Sequence, residues 1–169
     1  MQETPQQYTQ RILNNTQGKD PVRVQKATPR KLAALIKGLN KKQLTRRPAP
    51  GKWSIAEVLA HLADAELVIA YRIRLILATN RSVIQAYDQD AWARTFNYSR
   101  RDPKASLETF RQLRENNLKL LTSVPRALWE NYGEHTERGK ESVEHVVKMI
   151  AGHDVNHMTQ VEAMAKKRR

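Results

Sequence analysis

The chain of 169 residues has five histidines and no cysteine. Without a thiol there is no disulfide framework, cysteine nucleophile, thiolate-held zinc or iron–sulfur cluster, so any chemistry falls to imidazoles, carboxylates, hydroxyls and cations. His153 and His157 stand four residues apart. At about 100° per helical residue this is one turn, and both rings can converge on a point, as metal–nitrogen bonds of about 2.0–2.1 Å require. Both lie on or beside a stripe formed by Val143, Val146, Val147, Ile150 and Val161. A second stripe runs Val58, Leu62, Ala65, Ile69, Ile73 and Ile76. His61 falls at its edge, about 60° from the centre, where it can face a neighbouring helix. Three neutral imidazoles from two helices would hold a divalent ion and leave positions open for water or substrate. A closed structural site wants four protein ligands, and no fourth stands out. The plainer reading is a pair of hydrogen-bonded core histidines. His145 falls opposite its stripe and is expected to face solvent, and His135 sits in a glycine-bounded loop.

Other polar residues on the inner faces need partners. Arg114 interrupts the stripe of Phe110, Leu113, Asn117 and Leu121. A buried guanidinium is costly unless it meets an anion, which makes Arg114 a candidate for a substrate anion or, more plainly, for a salt bridge to Asp64, Glu66 or Asp154. Asp64 and Glu57 lie one turn either side of His61, and Gln160 one turn beyond His157. Each could orient an imidazole through its second nitrogen, or be a solvated helix residue.

The elements that must position these residues are helical. Tyr8, Ile12 and Leu13 mark a short amphipathic segment ended by Gly18; Asp20-Pro21 is a helix start, and Thr28-Pro29 repeats it before Leu32, Leu35, Ile36 and Leu39. Residues 47–52 form a connector. Ser54 with Glu57 is a capping box that opens a helix to about Leu77. A long crossover follows, with a short helix near Asp90 to Phe96, and its aromatics are expected to cap a core. Asp102-Pro103 starts a third long helix, stopped by Pro125; Trp129 and Tyr132 follow in a loop. Ser142 opens the fourth, to about Lys166. The pattern predicts an all-α, four-helix bundle with a long crossover between the second and third helices, not simply up-down-up-down. It forms one domain over residues 1–169, with residues 1–27 as a helical extension and 166–169 as a basic tail.

Charge sets the competing reading. Lys and Arg total 30 against 17 Asp and Glu, a net charge of +13. Clusters at Lys41-Lys42, Arg46-Arg47, Arg72 with Arg74, Arg100-Arg101 and the tail allow a non-enzymatic, nucleic-acid-binding basic helical protein. They are scattered, and no helix-turn-helix, zinc-finger, RRM or KH signature accompanies them, which argues against nucleic acid as a partner. No apolar run is long enough to span a membrane, and the first residues lack a secretory pattern, so a cytoplasmic setting is expected.

With these positions in hand, the chain resembles the DinB-like (YfiT-like) family of metalloenzymes. The resemblance rests on Pro50-Gly51-Lys52-Trp53-Ser54-Ile55-Ala56-Glu57-Val58-Leu59-Ala60-His61-Leu62-Ala63-Asp64-Ala65-Glu66, on Tyr87-Asp88-Gln89-Asp90-Ala91-Trp92, and on Gly152-His153-Asp154-Val155-Asn156-His157-Met158-Thr159-Gln160. It implies a metal-binding triad at His61, His153 and His157, the three that helical geometry also selects. Similar proteins include thiol-dependent S-transferases that use bacillithiol or mycothiol, and a mycothiol-dependent isomerase. The expected function is therefore that of a metal-dependent enzyme with zinc or nickel and a small-molecule substrate. It would be a transferase acting with a low-molecular-weight thiol or, alternatively, a hydrolase whose open coordination position takes water. The resemblance also implies a homodimer.

Overall fold

The computed structural model describes residues 3–167. The expected tail at 166–169 thus lies partly outside the described residues, at Arg168 and Arg169. Seven helices follow in order: α1 (Pro5–Asn14), α2 (Pro21–Ile36), α3 (Lys41–Thr45), α4 (Ile55–Ala78), α5 (Gln89–Thr95), α6 (Pro103–Ser123) and α7 (Val143–Lys166). Start signals in the sequence are used as read. Asp20 accepts from the amides of Val22 and Arg23, Ser54 and Glu57 close a reciprocal capping box, Asp102 caps α6 and Ser142 caps α7. Thr28-Pro29 is not a start: α2 runs unbroken through Pro29, so the boundary expected at residue 27 falls inside a helix.

Three short strands were not foreseen. β1 (Ser82–Ile84) lies in the crossover and pairs in parallel with β2 (Tyr132–His135), which pairs antiparallel with β3 (Gly139–Ser142). The hairpin turns through Thr136, Glu137 and Arg138 into Gly139, whose φ of 77° lies in the left-handed region that glycine enters without strain. The loop expected around Trp129 and Tyr132 is therefore a 3₁₀ turn followed by a strand, and His135 is a strand residue.

Helices α2, α4, α6 and α7 form a four-helix bundle. Neighbouring pairs are α4 with α6, α2 with α7, α2 with α6 and α4 with α7, so consecutive members α2/α4 and α6/α7 lie diagonally. Two apolar clusters fix the directions. One joins Leu32 and Ile36 at the end of α2, Ile55 to Leu62 at the start of α4, Phe110 early in α6, and Val161 and Met164 late in α7. The other joins Ile69, Ile73 and Ile76 late in α4, Leu121 late in α6, and Val143 to Ile150 early in α7. Hence α4 and α6 run parallel, with α2 and α7 antiparallel to them. Parallel neighbours cannot be joined by a tight turn, which is why a long crossover intervenes.

The crossover aromatics behave differently from the expected core cap. Tyr87, Trp92 and Phe96 stack on one another, at 4.6 and 5.4 Å between successive ring centroids, and Phe96 is exposed. Tyr98 is the one that enters the core, beside Trp53. Among the described residues no helix is long and apolar enough to cross a membrane.

Candidate metal centre

Between the two apolar clusters lie inward polar residues of three bundle helices: His61 and Glu66 on α4, Arg114 and Asn117 on α6, and His153, Asp154 and His157 on α7. This layer has two parts. In the first, His61 Nε2 lies 3.0 Å from His153 Nε2, and His157 Nε2 lies 3.1 Å from the same atom. One ring nitrogen from each of the three residues falls within 4.8 Å of the others. Nitrogens sharing an ion through bonds of about 2.0–2.1 Å are separated by about 3.0–3.4 Å, so the donor set fits one divalent cation.

The protonation states fit as well. Burial holds His61 and His153 well below the usual imidazole range, and the proximity of their neighbours adds to this. Burial also lowers His157, partly offset by its bond to Gln160. Each shift favours the neutral ring, the form that ligates a metal. The Gln160 side-chain oxygen lies 3.0 Å from His157 Nδ1. That oxygen only accepts, so the proton sits on Nδ1 and leaves the Nε2 lone pair facing the other rings. Trp53 packs against His61 at 4.9 Å between centroids.

The second part is a buried ion network. Arg114, 1% exposed, donates to Asp154 Oδ2 at 2.5 Å and Oδ1 at 3.0 Å, to Glu66 Oε2 at 2.8 Å and to the Gln25 carbonyl at 3.2 Å. Asn117 donates to the other Glu66 oxygen at 2.7 Å. Burial penalises the charge on Arg114, but Asp154 and Glu66 more than compensate and hold its pKa above the ordinary value. The Arg114 guanidinium is thus engaged by two buried carboxylates and a carbonyl within the bundle.

Two other candidates have partners away from the triad. Asp64 accepts from Arg101 at 2.8 Å and faces Tyr98. Glu57 is held by Ser54 and Arg47. Of the residues proposed to support an imidazole, Gln160 alone does so here. His145 is half-buried rather than solvent-facing, yet it stands apart from the three.

A cavity of about 490 Å³ opens onto His61 and His153. Helix α1 forms one wall through Tyr8, α4 another through Ile69 and Arg72, and the strands contribute His135 and Glu141. His135 and Arg72 were not singled out from the sequence as site residues. Arg72 follows Ile69 by three residues and precedes Ile76 by four, the same charge-within-a-stripe signal that drew attention to Arg114. His135 needed the hairpin.

A bundle of this topology with three imidazoles from two helices facing one another beside an open cavity is of the class that can build a metal site between its helices. Residues 26–161 match the model of the DinB superfamily, and the chain belongs to that family. A protein of Oceanobacillus iheyensis, named provisionally as a metal-dependent hydrolase, is 26% identical over 140 residues, covering 83% of this chain and 81% of its own. One of Halalkalibacterium halodurans, named in the same provisional way, is 22% identical over 134 residues, covering 79% and 78%. Among solved structures, YfiT from Bacillus subtilis, described as a probable metal-dependent hydrolase with an unusual four-helix bundle topology, superposes with a TM-score of 0.82. It is 21% identical and covers 88% of this chain and 85% of its own.

Proposed function

We propose that this protein is a metal-dependent enzyme in which His61, His153 and His157 hold one divalent cation, and that it hydrolyses a small molecule bound in the adjoining cavity. The observation that carries the reading is the convergence of three neutral Nε2 atoms, with the His157 tautomer set by Gln160. A divalent ion there would supply Lewis acidity, lowering the pKa of a bound water or thiol. The chain's own residues do the rest. The rings of His61 and His153 form the floor of the cavity, Gln160 holds the His157 proton at Nδ1, and Ile69, Val146 and Ile150 line the wall with apolar surface. The relatives' names favour hydrolysis, and they motivate water as the second reactant.

Transfer to a low-molecular-weight thiol is the second reading, favoured by the imidazole-only donor set, whose remaining positions would accept a soft sulfur donor. Zinc or nickel suits these ligands, and a homodimer and a cytoplasmic setting belong to the same proposal. The basic residues do not favour nucleic acid. Arg47 and Arg101 are paired with Glu57 and Asp64, Arg72 is buried, and Arg74 bonds Asn116 and Asn117.

The test is turnover by metal-loaded and chelated protein on panels of esters, amides and lactones, and separately on thiols with alkylating electrophiles. Metal-dependent hydrolysis without thiol supports the first reading, and strictly thiol-dependent consumption of the electrophile replaces it with the second. Equal rates with and without metal would contradict both.

A further inference from the structure

The cavity has a second polar end, away from the three histidines. Arg72 lies eleven residues beyond His61 on α4, which is about 16 Å along the axis. Its side chain leans back toward the helix start, as helical side chains do. It is 5% exposed, and both it and His61 line the cavity. A buried guanidinium ordinarily meets a carboxylate. Arg72 meets instead the Gln85 carbonyl, at 2.6 Å, and the face of Tyr87, at 5.8 Å. No carboxylate among the described residues closes an ion pair with it. Glu141, an acidic neighbour that acts on it electrostatically, is bound to Arg138 at 2.6 and 3.1 Å. Among the described residues the Gln85 carbonyl is the one hydrogen-bond acceptor of the Arg72 guanidinium, which has five N–H groups to offer.

His135 stands beside it, where β1 meets β2. The Glu137 amide donates to His135 Nδ1 at 3.2 Å, so the neutral ring carries its proton on Nε2. That Nε2 is buried and has no hydrogen-bond partner, in a residue 3% exposed that lines the cavity. Burial, with Arg138 nearby, pulls the pKa down to about 4, which keeps the ring a neutral donor at pH 7. A buried, unsatisfied N–H next to an unpaired guanidinium is a costly arrangement unless an acceptor completes it. Glu137 and Glu141 line the same cavity, so a doubly charged phosphate would meet more repulsion than a singly charged group.

We propose that Arg72 and His135 form a carboxylate-binding subsite, and that the substrate is an acidic small molecule whose carboxylate docks there while its reacting end lies at His61 and His153. This deepens the metal-centre reading and rests on it for the placement of the reacting end. The subsite also fixes orientation, since a ligand gripped at Arg72 can present only its far end to the imidazoles.

The experiment is calorimetric binding of mercaptohexanoate, mercaptohexanol and mercaptohexyl phosphate to metal-reconstituted wild type and Arg72→Gln. Metal content is measured before each titration. Wild type should bind the carboxylate at least about tenfold more tightly than the alcohol, the scale of one charge-assisted contact. In Arg72→Gln that preference should vanish while affinity for the alcohol stays as in wild type. No preference in wild type, a preference that survives the substitution, or tighter binding of the phosphate would overturn the proposal. If Arg72→Gln folds poorly by circular dichroism, Arg72→Lys replaces it. The ammonium keeps the charge but not the planar fork, so the preference should shrink, and a full wild-type preference overturns the subsite. Hexanoate, which has no thiol, repeats the Arg72 comparison without needing metal. Protein that takes up no metal therefore sinks the metal-centre reading by itself and leaves the subsite separately decided.

Discussion

The proton on His157 Nδ1 faces an amide oxygen 3.0 Å away, which leaves the Nε2 lone pair of that ring free to ligate. Groups that orient a ligating imidazole are worth about 10–100-fold in metal affinity. Gln160→Leu, which keeps the volume and removes the acceptor, should weaken metal binding by about that factor in a chelator-competition titration, with little change in thermal stability. An unchanged affinity would deny Gln160 its role. The triad was legible in the sequence because each position follows from helical periodicity alone: His153 and His157 one turn apart, His61 at the edge of a neighbouring stripe. What periodicity could not supply was the partner of each polar residue. Asp64 is one turn from His61, but Arg101 arrives from the crossover and takes it. For Arg114 the need of a buried guanidinium for anions is met by Glu66 and Asp154, from two other helices.

At the level of elements, the cavity owes one wall to α1, and α1 owes its place to Gly152. A Cβ at Gly152 would lie 2.0 Å from the Ile12 carbonyl oxygen, a backbone atom that cannot swing aside. The absence of that Cβ lets α1 rest directly on α7, where Asn15 donates to the Gly152 carbonyl at 3.2 Å. Gly152→Val should therefore lift α1, at a cost of about 1–3 kcal/mol in stability. Hydrogen exchange should show α1 amides losing protection while α4 and α7 keep theirs; unchanged protection in α1 would contradict this packing. Helix ends in the sequence were readable because caps are local, as at Ser54 with Glu57 and at Ser142. The strands were not, since β1 has three residues and pairs with a partner about fifty positions away. No local pattern records such a pairing, so the glycines around His135 read as a loop where the chain forms a strand.

On the scale of the whole molecule, Arg114 ties the bundle together by reaching Gln25 of α2, Glu66 of α4 and Asp154 of α7 from its own place on α6. Removing one partner of a buried ion network leaves the others uncompensated, which costs about 3–5 kcal/mol. Arg114→Met should lower stability by that amount in urea denaturation, and a loss below about 1 kcal/mol would show that the network is dispensable. The four-helix plan was foreseeable from apolar stripes and the long interval between the second and third long helices. The parallel course of α4 and α6, which makes that interval necessary, becomes visible only once the two apolar clusters assign ends to helices. It is also what lets α4 present His61 to α7 at the level of His153. The most direct test of the central claim is elemental analysis of protein purified without a histidine tag, as wild type, His153→Ala and His145→Ala. Near-stoichiometric divalent metal in wild type and His145→Ala, with little in His153→Ala, is the predicted result. Wild-type protein that stays metal-free after exposure to zinc and nickel, or a His153→Ala protein that retains its metal, would contradict it.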